Sequence, residues 1–125
     1  MSAEPTPLTL DGAGCRLRVY DYGNEGAPLL LLVHGIQDFA VALNPISEAF
    51  RDQYHVVACD LRGHGDSDKP GVYTMAHYMA DLHAVLFQLQ AEKPILAGHS
   101  LGSHIVCHYA GVFADVPRAV VNTPA

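Results

Sequence analysis

The chain has 125 residues, half of them hydrophobic and 16% charged, with seven Lys plus Arg against thirteen Asp plus Glu and a formal net charge of −6. That length suits a single core, and an apolar, charge-poor composition is expected where helices cover both faces of a sheet. Arg16, Arg18, Arg51, Arg62, Lys69, Lys93 and Arg118 are scattered along the chain, so no basic stripe is available for phosphate backbones and nucleic acid is not an expected partner.

Residues 1–7 read as a polar, proline-containing, frayed lead-in without the positive and apolar regions of a leader. The longest apolar run is far too short to cross a bilayer, so a cytoplasmic protein with no membrane contact is expected. Leu8-Thr9-Leu10, the turn at Asp11-Gly12-Ala13-Gly14, and Cys15 to Tyr20 predict an opening antiparallel hairpin. Leu29 to Val33 is a continuous apolar run that predicts a strand buried on both faces, ending in His34-Gly35-Ile36-Gln37. Asn44-Pro45 offers an N-cap and a first-turn proline for a short helix through Phe50. Tyr54 to Cys59 reads as a second buried strand and runs into the turn-rich segment Asp60 to Pro70.

Between Thr74 and Gln90, Met75, Tyr78, Met79, Leu82, Val85, Leu86 and Leu89 recur every three or four residues and predict one long amphipathic helix. Pro94 to Ala97 predicts a further strand, Ile105, Val106, Tyr109, Ala110 and Phe113 mark one face of the next helix, and Arg118 to Asn122 predicts a sixth strand. Strand and helix alternate from Leu29 onward, which implies right-handed crossovers and a mostly parallel sheet. Cys15, Cys59 and Cys107 are odd in number and the latter two lie in apolar segments, so reduced core thiols are expected. No metal-ligand spacing is present, and no metal or cofactor is implied.

Gly98-His99-Ser100-Leu101-Gly102 lies between the predicted fifth strand and the helix after it. In that context Gly-x-Ser-x-Gly is a nucleophile elbow, in which a strained turn pushes the serine hydroxyl out at the carboxyl edge of the sheet. The two glycines let strand and helix backbones approach closely. The competing reading is a plain helix N-cap, a role that does not require glycine on both sides of Ser100. His-Gly after the third strand, Asp60-x-Arg-Gly-x-Gly-x-Ser after the fourth and Gly-x-Ser-x-Gly after the fifth, in that order, resemble the α/β-hydrolase superfamily from about Leu8 to Thr123.

The resemblance implies an α/β-hydrolase fold with helices on both faces of the sheet, and Ser100 as the catalytic nucleophile. It implies an oxyanion hole made by the backbone N–H groups of Ile36 and Leu101, supported by His34, Gly35, Gly98, His99 and Gly102. Gln37, Asp38 and Phe39 are expected at the mouth of the substrate pocket, and His34 as a support for its loop. Asp60 and Arg62 are expected to brace their loop as an ion pair; a catalytic pair is the alternative. His55, His64, His77 and His83 are expected to be surface or structural residues.

After Ser100 the chain offers only His104, His108 and Asp115 for a triad. The two histidines lie about 6 Å and 12 Å along a helix that leads away from the elbow, and Asp115 precedes the last strand. The family places its acid and its histidine after later strands. Residues 1–125 are therefore expected to form the amino-terminal part of a longer hydrolase domain, truncated after the sixth strand. That strand would be an uncovered edge, and the chain alone would be poorly soluble and inactive.

Relatives that open epoxides or displace halide carry an aspartate at the nucleophile position. Serine points instead to a small-molecule acyl substrate: ester, thioester or lactone. The alternatives are a non-catalytic ligand-binding relative or pseudoenzyme, and a cofactor-free oxygenase on the same fold.

Overall fold

The computed structural model describes residues 4–123. Six strands form one sheet: β1 (Thr6–Asp11), β2 (Arg16–Asp21), β3 (Leu29–Val33), β4 (His55–Cys59), β5 (Ile95–His99) and β6 (Ala119–Thr123). Three α-helices connect them, α1 (Asn44–Phe50), α2 (Met75–Gln88) and α3 (Leu101–Val112). The spatial order is β1-β2-β4-β3-β5-β6. β1 and β2 pair antiparallel, β2 joins β4 antiparallel, and all other neighbours are parallel.

β3 lies between β4 and β5, so the chain winds one way from β3 to β4 and the other way to β5. The carboxyl ends of β3 and β5 thus flank a topological switch point, where open α/β sheets form their ligand crevice. Val33 pairs with Gly98 in this register, which sets the His34-Gly35 turn beside the Ser100 turn.

Every residue of β3 is buried, as its unbroken apolar run predicts. Leu29, Leu31, Val33, Val57, Cys59 and Leu96 pack against Tyr78, Leu82, Val85 and Leu86 of α2 and Ile105, Val106 and Tyr109 of α3. Leu30, Leu32, Val56 and Ala58 face the other way, with Ala40 and Tyr22. β6 is the sheet's edge, and four of its five residues are exposed.

Several local expectations are corrected. The lead-in is shorter than 1–7, because Thr6 and Pro7 already pair with Asp21 and Tyr20; residues 1–3 lie outside the described residues. Asn44 does not cap α1. A 3-10 turn over Ala40–Leu43 runs straight into that helix, Asn44 is itself helical, and its Oδ1 accepts the Tyr22 hydroxyl at 2.6 Å. Thr74 does cap α2, its hydroxyl accepting from the His77 N–H. All three cysteines are free, but Cys107 is exposed because it lies on the face of α3 opposite Val106 and Tyr109.

Arg62 does not pair with Asp60. Its guanidinium donates from Nε to Asp81 Oδ2 at 2.6 Å and from Nη2 to Asp81 Oδ1 at 2.8 Å, with both residues buried. Arg62 also donates to the Ala13 and Val72 carbonyls, and Asp81 accepts the Ala13 N–H. The pair therefore ties the β1–β2 turn, the loop after β4 and α2 together. A buried carboxylate left without its cation is costly. Arg62→Met should lower unfolding stability by about 3–5 kcal/mol, read as a fall in the urea midpoint without a change in slope.

Candidate active site

β5 ends at His99 and α3 begins at Leu101, so Ser100 alone makes the turn between strand and helix. Its φ of 55° and ψ of −114° lie in a region that non-glycine residues seldom adopt, at a cost on the order of 1–3 kcal/mol. Backbone bonds hold it there. The Ser100 N–H donates to the Thr123 carbonyl at 3.1 Å, and the Ser100 carbonyl accepts from the His104 N–H at 3.2 Å. The side chain makes no cap hydrogen bond, so the N-cap reading of this serine does not hold.

Both flanking glycines are needed sterically. A Cβ on Gly98 would collide with the Gly102 carbonyl, and one on Gly102 would collide with the Val33 carbonyl. The first turn of α3 therefore lies directly on the end of β3. Gly35 sits less tightly but still close: a Cβ there would stand 3.1 Å from the Ser100 Cβ.

The turn after β3 thus lies against the elbow. Ile36 is 67% exposed and Phe39 45% exposed, Gln37 is exposed with a φ of 60°, and Asp38 Oδ1 accepts the Phe39 N–H at 2.9 Å. Among the described residues, no acceptor takes the N–H of Ile36 or of Leu101. His99 is exposed, and its Nδ1 lies 3.0 Å from the Thr123 hydroxyl on β6. An apolar groove of about 340 Å³ runs along the sheet face up to the Ser100 turn, lined by Leu32, Ile46, Ala97, Gly98, His99 and Thr123 among others. Ser100, Ile36, Gln37, Asp38 and Phe39 are not part of that lining.

His34 is fully buried. Its Nε2 accepts the Leu61 N–H at 3.0 Å, which leaves the proton on Nδ1, 2.6 Å from the Gly35 carbonyl. Burial pushes this imidazole below its ordinary value of 6.5, and the His64 ring 5.0 Å away adds to the effect. The ring thereby joins the turn after β3 to the loop after β4.

Most of the remaining histidine rings have structural partners. His55 Nε2 meets Asp21 at 2.8 Å, His64 Nδ1 the Arg62 carbonyl, and His77 Nδ1 the Thr74 hydroxyl. His83 bonds the Tyr109 hydroxyl and stacks on Phe113. His104 and His108 are exposed on α3, and His108 Nδ1 bonds the His104 carbonyl. Asp115 lies in the turn before β6. Among the described residues, no histidine or carboxylate hydrogen-bonds the Ser100 hydroxyl.

One contributor escaped the sequence reading, and another was given the wrong partner. Thr123 receives the Ser100 N–H, and nothing in the sequence marks that contact. Asp60 is buried and accepts the Ala40 N–H at 2.6 Å and the Asp66 N–H at 3.0 Å. Gly65 was its signal, because a Cβ there would strike the Asp60 carboxylate.

A mostly parallel sheet with a switch point at β3 and β5, and a strained serine on a glycine-flanked strand-to-helix turn at that point, define an α/β domain. Residues 28–124 match the family model described as alpha/beta hydrolase fold, and the chain belongs to that family. It is 36% identical over 127 residues to Epoxide hydrolase A of Mycobacterium tuberculosis, covering 97% of this chain and 39% of that protein. It is also 36% identical over 95 residues to 2-(acetamidomethylene)succinate hydrolase of Mesorhizobium japonicum, covering 75% of this chain and 34% of the relative. The crystal structure of Epoxide Hydrolase A from Mycobacterium thermoresistibile superposes with a TM-score of 0.87 at 33% identity, over 94% of this chain and 38% of that one. The chain thus spans less than half the length of each. Among the described residues no helix is long and apolar enough to cross a membrane.

Two outcomes are expected from this geometry. Gly102→Ala forces α3 off β3 and should cost about 3 kcal/mol or more in denaturant unfolding. Because folding lowers the pKa of His34, the unfolded chain binds its proton more readily. The His34 contribution to stability should be full above pH 6.5 and decline as pH falls from there through the lower folded value. The difference in unfolding free energy between wild type and His34→Asn, followed across that range, isolates it.

Proposed function

We propose that this chain carries the nucleophile and the oxyanion-binding backbone of a serine hydrolase acting on a small ester, thioester or related acyl substrate. The observation that carries this reading is Ser100: strained, freed from capping, and beside two N–H groups that no described acceptor takes.

In this reaction Ser100 Oγ bonds to the acyl carbon and its proton passes to a general base. The carbonyl π electrons move to oxygen, where the N–H groups of Ile36 and Leu101 receive the negative charge. Collapse breaks the bond to the leaving group, which takes up the proton, and water then cleaves the acyl-enzyme by the same route. The base and its acid partner come from outside the described residues, among which no histidine or carboxylate hydrogen-bonds the Ser100 hydroxyl. Gln37, Asp38 and Phe39 border the crevice and bear on substrate choice.

Similarity to epoxide hydrolases does not extend to their substrate. Serine attack on an epoxide would leave an ether, which has no carbonyl for water to attack, so the enzyme would not turn over. An acyl-serine does have one. The relative that hydrolyses 2-(acetamidomethylene)succinate, whose name carries an acyl-nitrogen group, favours acyl chemistry on this template.

A fluorophosphonate probe applied to the intact gene product that contains these residues should give a covalent adduct on Ser100 by peptide mass spectrometry, abolished by Ser100→Ala. Absence of the adduct would overturn the reading in favour of a non-catalytic ligand-binding relative.

A further inference from the structure

The segment between Gly35 and Phe39 bears the Ile36 N–H, yet little within the segment fixes its position. The side chains of Ile36, Gln37 and Phe39 are exposed, Gln37 is in a left-handed conformation, and the internal bonds are the local ones from Asp38 N–H to Gly35 and from Phe39 N–H to Asp38. A strained, exposed segment persists only when its surroundings over-determine it.

The ties lie at its two ends, and both lead to the loop after β4. Before the segment, His34 Nε2 accepts the Leu61 N–H at 3.0 Å. After it, the Ala40 N–H donates to Asp60 Oδ1 at 2.6 Å. Each loop supplies one buried side-chain acceptor to the other's backbone.

Asp60 is 2% exposed; Arg62 is committed to Asp81, and among the described residues no cation pairs with Asp60. Its charge is held by the Ala40 and Asp66 amides. Burying a carboxylate is tolerated only where such donors are held in place, so the two loops order one another.

We infer that Asp60 is a positioning residue for the oxyanion hole, closing with His34 a reciprocal clasp that sets the Ile36 N–H against Ser100. This rests on the proposed role of Ile36. The neighbouring Ser67 hydroxyl, which donates to the Asp60 carbonyl at 2.6 Å and accepts the Arg18 N–H, secures the clasp to β2.

The test compares wild type, Asp60→Ala and Asp60→Asn in the intact gene product, by amide hydrogen exchange and by the rate of Ser100 phosphonylation. In Asp60→Ala the Ala40 and Asp66 amides should exchange at least about tenfold faster while Leu82 and Leu86 in α2 hold their protection. Phosphonylation should slow by about 10²-fold, the scale of a displaced oxyanion donor. Asn offers one oxygen to two donors, so Asp60→Asn should deprotect one of the two amides, and it decides the matter if Asp60→Ala loses its α2 protection as well. Retained Ala40 protection, or deprotection with an unchanged phosphonylation rate, would overturn the proposal. A wild type that is never phosphonylated ends the acyl-hydrolase reading and with it the catalytic purpose of Asp60, while exchange still decides whether the clasp exists.

Discussion

The close approach of α3 to the end of β3 is the constraint on which the rest of this structure depends. Gly102 lies where a Cβ would meet the Val33 carbonyl, and Gly98 where one would meet the Gly102 carbonyl. With that space closed, the helix would stand off the sheet, and Ser100 could neither complete its turn in one residue nor reach the loop after β3. The strain at Ser100 persists because two backbone hydrogen bonds and the packing of Ile105, Val106 and Tyr109 hold α3 in place.

Sheet topology turns that local contact into a site. β3 and β5 are adjacent but far apart in the chain, and the winding reverses between them. The turns that leave their carboxyl ends therefore face one another across the crevice that such a reversal opens. Gly35 beside Ser100 is the point where the two turns meet. The loop after β4 enters from the other side of β3, and its backbone supplies the donor that His34 needs.

Buried polar groups gather at this end of the sheet, in contrast to the uniformly apolar β3. His34, Asp60, Arg62, Ser67 and Asp81 are all buried, and each has hydrogen-bond partners. Such networks rigidify a structure when every member is satisfied. Here the network fixes the turn after β3 beside Ser100. The apolar groove along the sheet face reaches the same end, where Gly98, His99 and Thr123 line it and Ser100 itself does not.

Patterns along the chain determined a great deal. Burial of β3 followed from its unbroken apolar run, the length of α2 from its three-and-four spacing, and the tight strand-to-helix turn at Ser100 from the glycine on each side of it. Each of these is set by steric and hydrophobic rules acting over a few residues. Partner choice was not legible in the same way. Arg62 and Asp60 stand two residues apart and look like an ion pair, yet Arg62 reaches Asp81 on α2 and Asp60 reaches Ala40 beyond β3. Asn44 looks like a helix cap, yet a 3-10 turn places it inside the helix and Tyr22 takes its side chain. Cys107 sits in an apolar stretch, yet the rotation of α3 turns it to solvent. The pairing of Ser100 with Thr123, and of His34 with Leu61, likewise joins residues more than twenty positions apart. Hydrogen bonds and ion pairs act over about 3 Å, and only the folded sheet decides which of the many donors and acceptors come within that distance.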